Sequence, residues 1–259
     1  MEEINGREIA KDIYSRIGDK SNQKLKLAVI MAGADKATES FVAQKRKAAA
    51  KTGVGFEIIG FPEDVSTEEM EEAVKKASDD RQITAIVTQL PFPPQIDKQR
   101  VLAAISPKKD ADSLNGGSLI PPSAGTVLEI LDYLNKDVKS LNFAIVGYGE
   151  LVGKPVYDYL SGKAKSAALL RRGSDLNTEL ANADVIVSGT GKFGLITPDM
   201  VRDGAIVIDF GYGSDENGNT GGDFNPTGSG KNILYTPTPG GTGPILVAKL
   251  FENIVSLSR

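Results

Sequence analysis

Phe143-Ala144-Ile145-Val146-Gly147-Tyr148-Gly149-Glu150-Leu151-Val152-Gly153 reads as an apolar strand that runs into glycines and then into a helix opening at about Gly153. Glycines at such a junction permit a tight turn and let backbone N–H groups and a helix N-terminus face a pyrophosphate. The spacing is G-x-G-x-x-x-G rather than G-x-G-x-x-G, so the run alone fits an ordinary Gly-rich turn as well as a dinucleotide loop. The next strand, Ser166 to Leu170, is followed by Arg171-Arg172-Gly173-Ser174. A protein that binds the 2′-hydroxyl cofactor usually carries an acid there, whereas arginine forks suit a 2′-phosphate. Two solvated surface arginines are the plainer reading, but their place beyond a second strand favours NADP, with NAD as the alternative.

Outward from this run, short β-rich segments alternate with helical patterns, the signature of βαβ units around a parallel sheet. Residues 5–18 fit an amphipathic helix, 25–30 a strand, 40–51 a helix and 54–59 a strand. Ser66-Thr67-Glu68-Glu69 has the order of a capping box for a helix to about Asp79. Residues 83–87 form a buried strand stopped by Pro91, Pro93 and Pro94. From Asp110 to Gly125 the chain is rich in Gly, Ser and Pro and reads as a loop or domain junction. A helix over 124–134, strands over 185–187 and 205–209, a loop or hairpin over 211–230 and a closing helix from Pro244 to about Leu257 complete the pattern. The economical architecture is two α/β lobes joined near residues 115–122.

Composition narrows the chemistry. With 30 Lys and Arg against 34 Asp and Glu, the net charge of −4 argues against bulk nucleic-acid or membrane-surface binding. No apolar run reaches the roughly 18 residues of a membrane span, and Met1–Gly6 lacks the pattern of a signal peptide. The expectation is a cytoplasmic protein. The chain has no cysteine and no histidine, which excludes thiolate and imidazole catalysis and most zinc designs. No metal is expected, and any acid–base catalyst must be Lys, Asp, Glu or Tyr.

Three residues of the first lobe stand out. Lys45 lies four residues after Phe41 on one helix face. Gln89 sits at the carboxyl end of a strand, where open α/β sheets place ligands. Asp112 lies in the loop leading to the junction. Singly, each has a bland reading: a solvated lysine, a strand-end cap, a turn former. In order, they carry a resemblance to the methylenetetrahydrofolate dehydrogenase/cyclohydrolase family, known as FolD. Gly33 to Lys45 is similar to that family's helix ending in Tyr-Val-x-x-Lys, and Gln89-Leu90-Pro91-Phe92-Pro93 to its Gln-Leu-Pro-Leu-Pro. Pro107 to Asp112 resembles its Pro-x-Lys-Asp-Val-Asp. Thr236-Pro237-Thr238-Pro239-Gly240-Gly241-Thr242-Gly243-Pro244 matches its Thr-Pro-Val-Pro-Gly-Gly-Val-Gly-Pro at all but two positions.

The resemblance, running from Ile4 to Asn253, implies a fold and a reaction. The fold is an N-terminal α/β catalytic and folate-binding lobe (1–118 plus 243–259) and a Rossmann-like NADP-binding lobe (119–242). The C-terminal helix packs back on the first lobe, folate lies between the lobes, and a homodimer forms through the nucleotide lobe. The reaction is NADP-dependent oxidation of 5,10-methylenetetrahydrofolate, then hydrolysis of the methenyl product to 10-formyltetrahydrofolate. By position, Lys45, Gln89 and Asp112 are the catalytic group. Phe41, Gln89, Leu90, Pro91, Asp112, Pro239, Gly240 and Gly241 bind substrate. Gly147, Tyr148, Gly149, Glu150, Leu151, Val152, Gly153, Lys154 and Pro155, with Arg171, Arg172, Thr190 and Gly191, bind the cofactor.

Several positions depart from the family pattern. Phe41 replaces the tyrosine, Asp112-Ser113-Leu114-Asn115 skips a histidine, and Pro121-Pro122-Ser123-Ala124 replaces Pro-Cys-Thr-Pro. Tyr148-Gly149 replaces Arg-Ser, and Arg171 stands at the serine of a common His-Ser pair. A lost hydroxyl removes a hydrogen bond worth roughly 0.5–1.5 kcal/mol, which retunes an enzyme rather than silencing it. The rival readings are a monofunctional dehydrogenase or cyclohydrolase, and a catalytically weak folate- or nucleotide-binding homologue.

Overall fold

A computed structural model describes residues 1–33, 36–228 and 230–258, with Ser21, Lys36 and Ala37 described by backbone alone. Ala34 and Asp35 in the run Gly33–Lys45, Ser229 in the expected loop 211–230, and Arg259 in the expected segment 243–259 lie outside the described residues. In chain order the elements are β1 (Glu2–Glu3), α1 (Gly6–Ile17), β2 (Lys26–Ala32), α2 (Lys36–Thr52), β3 (Gly55–Phe61), α3 (Thr67–Asp79), β4 (Ala85–Thr88), α4 (Lys98–Ala103) and α5 (Pro122–Tyr133). They continue with β5 (Asn142–Val146), α6 (Gly153–Leu160), β6 (Ser166–Leu170), α7 (Leu176–Ala181), β7 (Val185–Ser188), β8 (Ile206–Asp209), β9 (Gly213–Ser214), β10 (Thr220–Gly221), β11 (Leu234–Tyr235) and α8 (Thr242–Ser256).

The chain divides into two compact units, Ile13–Pro122 with Val247–Arg259, and Met1–Asp12 with Ser123–Leu246. The first holds a three-stranded parallel sheet ordered β3-β2-β4. Its centre, β2, is apolar and buried along almost its whole length, as a parallel strand covered on both faces must be. Ala28, Ile30 and Ile86 meet Met70 and Val74 of α3 and Val101 of α4 in one core. The capping box at α3 is present: Ser66 Oγ accepts from Glu69 N at 3.2 Å, and Glu69 Oε2 accepts from Ser66 N at 3.0 Å. Residues 109–111 run beside β4 through a parallel bridge, Ile86 N donating to Lys109 O at 2.7 Å. The late segment of α8 closes this unit, because Asn253 Nδ2 donates to Ala111 O and to Ile120 O, each at 2.9 Å.

The second unit holds a six-stranded parallel sheet ordered β1-β11-β8-β7-β5-β6. Strand order reverses at β5, between β6 and β7, and open α/β sheets bind ligands beyond the carboxyl ends of the strands at such a switch point. Gly147 follows β5 itself, and Thr190 lies just beyond its neighbour β7. A two-stranded antiparallel hairpin, β9–β10, lies within the expected loop 211–230.

Several boundaries differ from the reading above. Helix α2 begins at Lys36 rather than Ser40, and α5 at Pro122 rather than Ala124, since proline suits the first helical turn, where its missing N–H costs nothing. The six-residue helices α4 and α7 are too short to show a period and start at aspartate caps, Asp97 and Asp175. The compact units also differ from the expected lobes at residues 1–12, because Glu2 and Glu3 add a parallel edge to β11. The junction falls after Pro122, and α8 divides after Leu246.

Candidate active site

Lys45 lies on α2, the helix that follows β2, and Gln89 follows β4, the strand beside β2. Both therefore gather at the carboxyl end of the three-stranded sheet. Lys45 Nζ donates to Gln89 Oε1 at 2.6 Å, and Gln89 Nε2 donates to Leu90 O at 2.8 Å. The second bond fixes the amide so that its oxygen faces the amine. Gln89 is buried and Lys45 half-buried. Burial pushes the Lys45 amine below its ordinary value, against the pull of Asp112.

Asp112 is carried by the segment that bridges to β4. Burial raises its carboxyl to about 6, Lys45 pulls it back and Asp110 pushes it up further. Asp110 is the member that sequence reasoning missed. It is buried, raised by its burial, and held down by backbone N–H groups, Leu114 N at 2.7 Å and Asn115 N at 2.8 Å on Oδ2. Its neighbour's motif was readable; the chain's return onto its carboxylate was not. Phe41, one turn before Lys45, presents an exposed ring, while Leu90 is half-buried and Pro91 exposed after a cis bond. This group offers an amine with a lowered proton affinity, an uncharged acceptor that orients it, and a carboxylate that ionises near pH 6.

In the other unit, Gly147 has φ +97° and its N–H donates to Leu170 O at 2.9 Å, tying the end of β5 to β6. A Cβ on Gly153 would lie 2.1 Å from Gly147 O, so the start of α6 packs directly on the backbone of the first glycine. That is the role of the third glycine in a dinucleotide loop, while Gly149 has open space around it. These residues fit a bound dinucleotide. Tyr148, Gly149, Leu151 and Lys154 are exposed, Glu150 and Val152 half-buried, and Gly153 and Pro155 buried. Lys154 Nζ pairs with Asp158 at 2.5 Å. Exposed Arg171 lies over the Tyr148 ring, 4.2 Å from its centroid, and Arg172 is exposed beside it in sequence.

Half-buried Thr190, followed by exposed Gly191, is held by a buried network that the sequence reading also missed. Asp223 Oδ2 accepts from Thr190 N at 2.7 Å and from Ser188 Oγ at 2.6 Å. Asp209, at the end of β8, is raised to about 6 by burial, which outweighs its bonds from Phe224 N and Gly211 N. Pro239 is exposed, Gly240 has φ +108°, and Gly241 is buried with no room for a side chain beside Pro237 O. Lys45, Gln89 and Asp112 thus share one unit, while Pro239–Gly241 and the glycine loop belong to the other.

The profile "Tetrahydrofolate dehydrogenase/cyclohydrolase, catalytic domain" matches residues 4–112. Its companion "NAD(P)-binding domain" matches residues 121–259. A bifunctional protein FolD from Staphylococcus aureus (strain Newman) is 35% identical over 96% of this chain and 94% of its own. The bifunctional enzyme FolD of Campylobacter jejuni superposes with a TM-score of 0.90 at 27% identity, over 99% of this chain and 98% of that one. The Trypanosoma brucei FolD complexed with NADP cofactor and an inhibitor gives 0.89 at 28%, over 98% and 96%. Lobe by lobe and nearly end to end, the chain belongs to the tetrahydrofolate dehydrogenase/cyclohydrolase family.

Proposed function

We propose that the chemistry of this bifunctional dehydrogenase/cyclohydrolase centres on Lys45, Gln89 and Asp112, with NADP held by Gly147–Pro155, Arg171, Arg172, Thr190 and Gly191. The enzyme oxidises 5,10-methylenetetrahydrofolate to the methenyl form and hydrolyses that to 10-formyltetrahydrofolate. The observation that carries the assignment of the residues is the 2.6 Å bond from Lys45 Nζ to Gln89 Oε1 at the carboxyl end of the three-stranded sheet. NADP⁺, when bound, supplies the hydride acceptor. The protein's part in that step is to position the folate carbon, and Phe41, Leu90, Pro91, Pro239, Gly240 and Gly241 are the substrate-binding surfaces we assign.

In the hydrolytic step, water adds to the methenyl carbon and loses a proton. Burial lowers the proton affinity of Lys45, which enlarges the fraction of neutral amine able to take that proton. The Gln89 amide orients the amine without a charge that would hold it cationic. The ring then opens as the C–N5 bond breaks: the remaining hydroxyl proton passes to N5 while the formyl C=O forms, and the Lys45 ammonium, facing Asp112, stabilises the charge that builds on the departing nitrogen. Asp112, ionised above about pH 6, accepts the paired N–H groups of a pterin.

By function we assign 1–118 plus 243–259 to the catalytic lobe and 119–242 to the nucleotide lobe, bounds that differ from the compact units chiefly at residues 1–12, which pack with the nucleotide unit. We also assign the working enzyme to a homodimer formed through the latter, in the cytoplasm. Sedimentation and cell fractionation test the last two assignments. The residue assignment is tested by following NADPH absorbance and methenyl decay in wild type and Lys45→Met. The variant keeps the stem and deletes the amine, so it retains dehydrogenation far better than hydrolysis. Enzyme-dependent methenyl decay within about threefold of wild type, far less than the roughly hundredfold or more expected from losing a general base, removes Lys45 from the mechanism.

A further inference from the structure

We propose that Tyr148 is a specificity-determining positioning residue, its ring holding the Arg171 guanidinium ready for the 2′-phosphate of NADP. The inference rests on the NADP reading above and deepens it. Strands β5 and β6 run parallel with Val146 opposite Leu170, so the residues just beyond them emerge side by side at the switch point. There Arg171 lies over the Tyr148 ring at 4.2 Å. Arg171 N donates to Ser174 Oγ at 3.0 Å, which fixes the turn from which the side chain departs. Among the described residues no carboxylate pairs with Arg171. Tyr148 is 42% exposed and adds little to the core.

A guanidinium stacked on a ring uses its face, whereas a phosphate is recognised by the N–H bonds in its plane. The two contacts are compatible at the same time. An arginine alone on a surface loses rotamer freedom when it closes on a phosphate, and a ring beneath it removes part of that loss beforehand. The tyrosine hydroxyl has no part in this; the aromatic face does.

Calorimetry with the fragments 2′,5′-ADP and 5′-AMP reads the effect without turnover. Wild type binds 2′,5′-ADP the more tightly. An exposed cation–π contact corresponds to about two- to fivefold in affinity. Tyr148→Ala therefore weakens 2′,5′-ADP by about that factor and leaves 5′-AMP unchanged, while Tyr148→Phe stays within error of wild type. In an Arg171→Ala background, Tyr148→Ala has no further effect on 2′,5′-ADP. If wild type discriminates between the fragments but Tyr148→Ala does so equally well, the stacking proposal is overturned and the NADP reading stands. Equal affinities in wild type overturn both.

Discussion

Changing Gln89 to glutamate replaces an amide by a carboxylate of nearly the same shape, at a position where Lys45 donates across 2.6 Å. Two opposite unit charges about 4 Å apart attract by about 4 kcal/mol at an effective dielectric constant of about 20. Since each pKa unit is worth about 1.4 kcal/mol, the ammonium gains about 3 units. The direction opposes the native one, in which burial holds Lys45 low. At neutral pH the neutral amine becomes about a thousandfold rarer, and a step that needs it slows by the same order. The rise of the hydrolysis rate with pH then moves about 3 units to the alkaline side. Dehydrogenation, which depends on positioning, suffers less. Stopped-flow decay of the methenyl chromophore across the neutral and alkaline range, with uncatalysed hydrolysis subtracted, measures both effects. Gln89→Met is the control: it removes a charge-assisted hydrogen bond, costing about ten- to a hundredfold, without adding a charge. A Gln89→Glu enzyme that folds, and hydrolyses within about tenfold of wild type on an unshifted pH profile, would refute Lys45 as a base held neutral by its surroundings.

Three further outcomes follow from particular contacts. Because folding raises Asp112 to about 6, the folded protein holds that proton more tightly than the unfolded chain. The group therefore subtracts stability as pH rises from about 4 to about 6. Asp112→Asn should melt higher than wild type at pH 7, by about 2–4 °C per kcal/mol released, but not at pH 4, while binding folate more weakly. Calorimetry showing the same difference at both pH values contradicts this. A Gly153→Ala Cβ would meet Gly147 O at 2.1 Å, so the helix start must shift. The KM for NADP should rise about tenfold with methenyl hydrolysis unchanged, and an unaltered KM defeats the idea. Asp223→Ala strands Ser188 Oγ and Thr190 N, each costing about 1–3 kcal/mol. The urea midpoint should fall with an unchanged slope, and a midpoint like that of wild type would show the network to be dispensable.

What the sequence makes readable is local. The run Phe143–Gly153 carries strand, turn and helix in one stretch, and Ser66 and Glu69 announce α3 by side chains three apart that bond to each other. The absence of histidine and cysteine leaves Lys, Asp, Glu and Tyr as acid–base candidates, and the family resemblance singles out Lys45 among them. What stays hidden is made by distant pieces of chain. Strand β1 exists because Leu234 and Tyr235 offer it an edge, and nothing around Glu2 says so. The raised carboxyl of Asp112 depends on burial and, to a lesser degree, on Asp110, and that of Asp209 on burial and, to a lesser degree, on Asp223. Short helices such as α4 and α7 escape because six residues hold too few turns for a period to emerge.

The interleaving of the two units bears on how the chain is made. A ribosome delivers Glu2 long before Leu234, its partner in the sheet, and Ala111 long before Asn253, whose side chain caps it. Neither unit is a continuous stretch, so neither can close while the nascent chain is still short of its late segments. Contacts of such sequence separation slow folding, and they also act as a proofreading step on synthesis. A polypeptide released early, before Asn253, leaves the Ala111 and Ile120 carbonyls without that partner. One released before Leu234 leaves β8 without a neighbour on that side. Unfinished copies should thus be sorted from finished ones by proteases and chaperones rather than accumulate as inert half-enzymes.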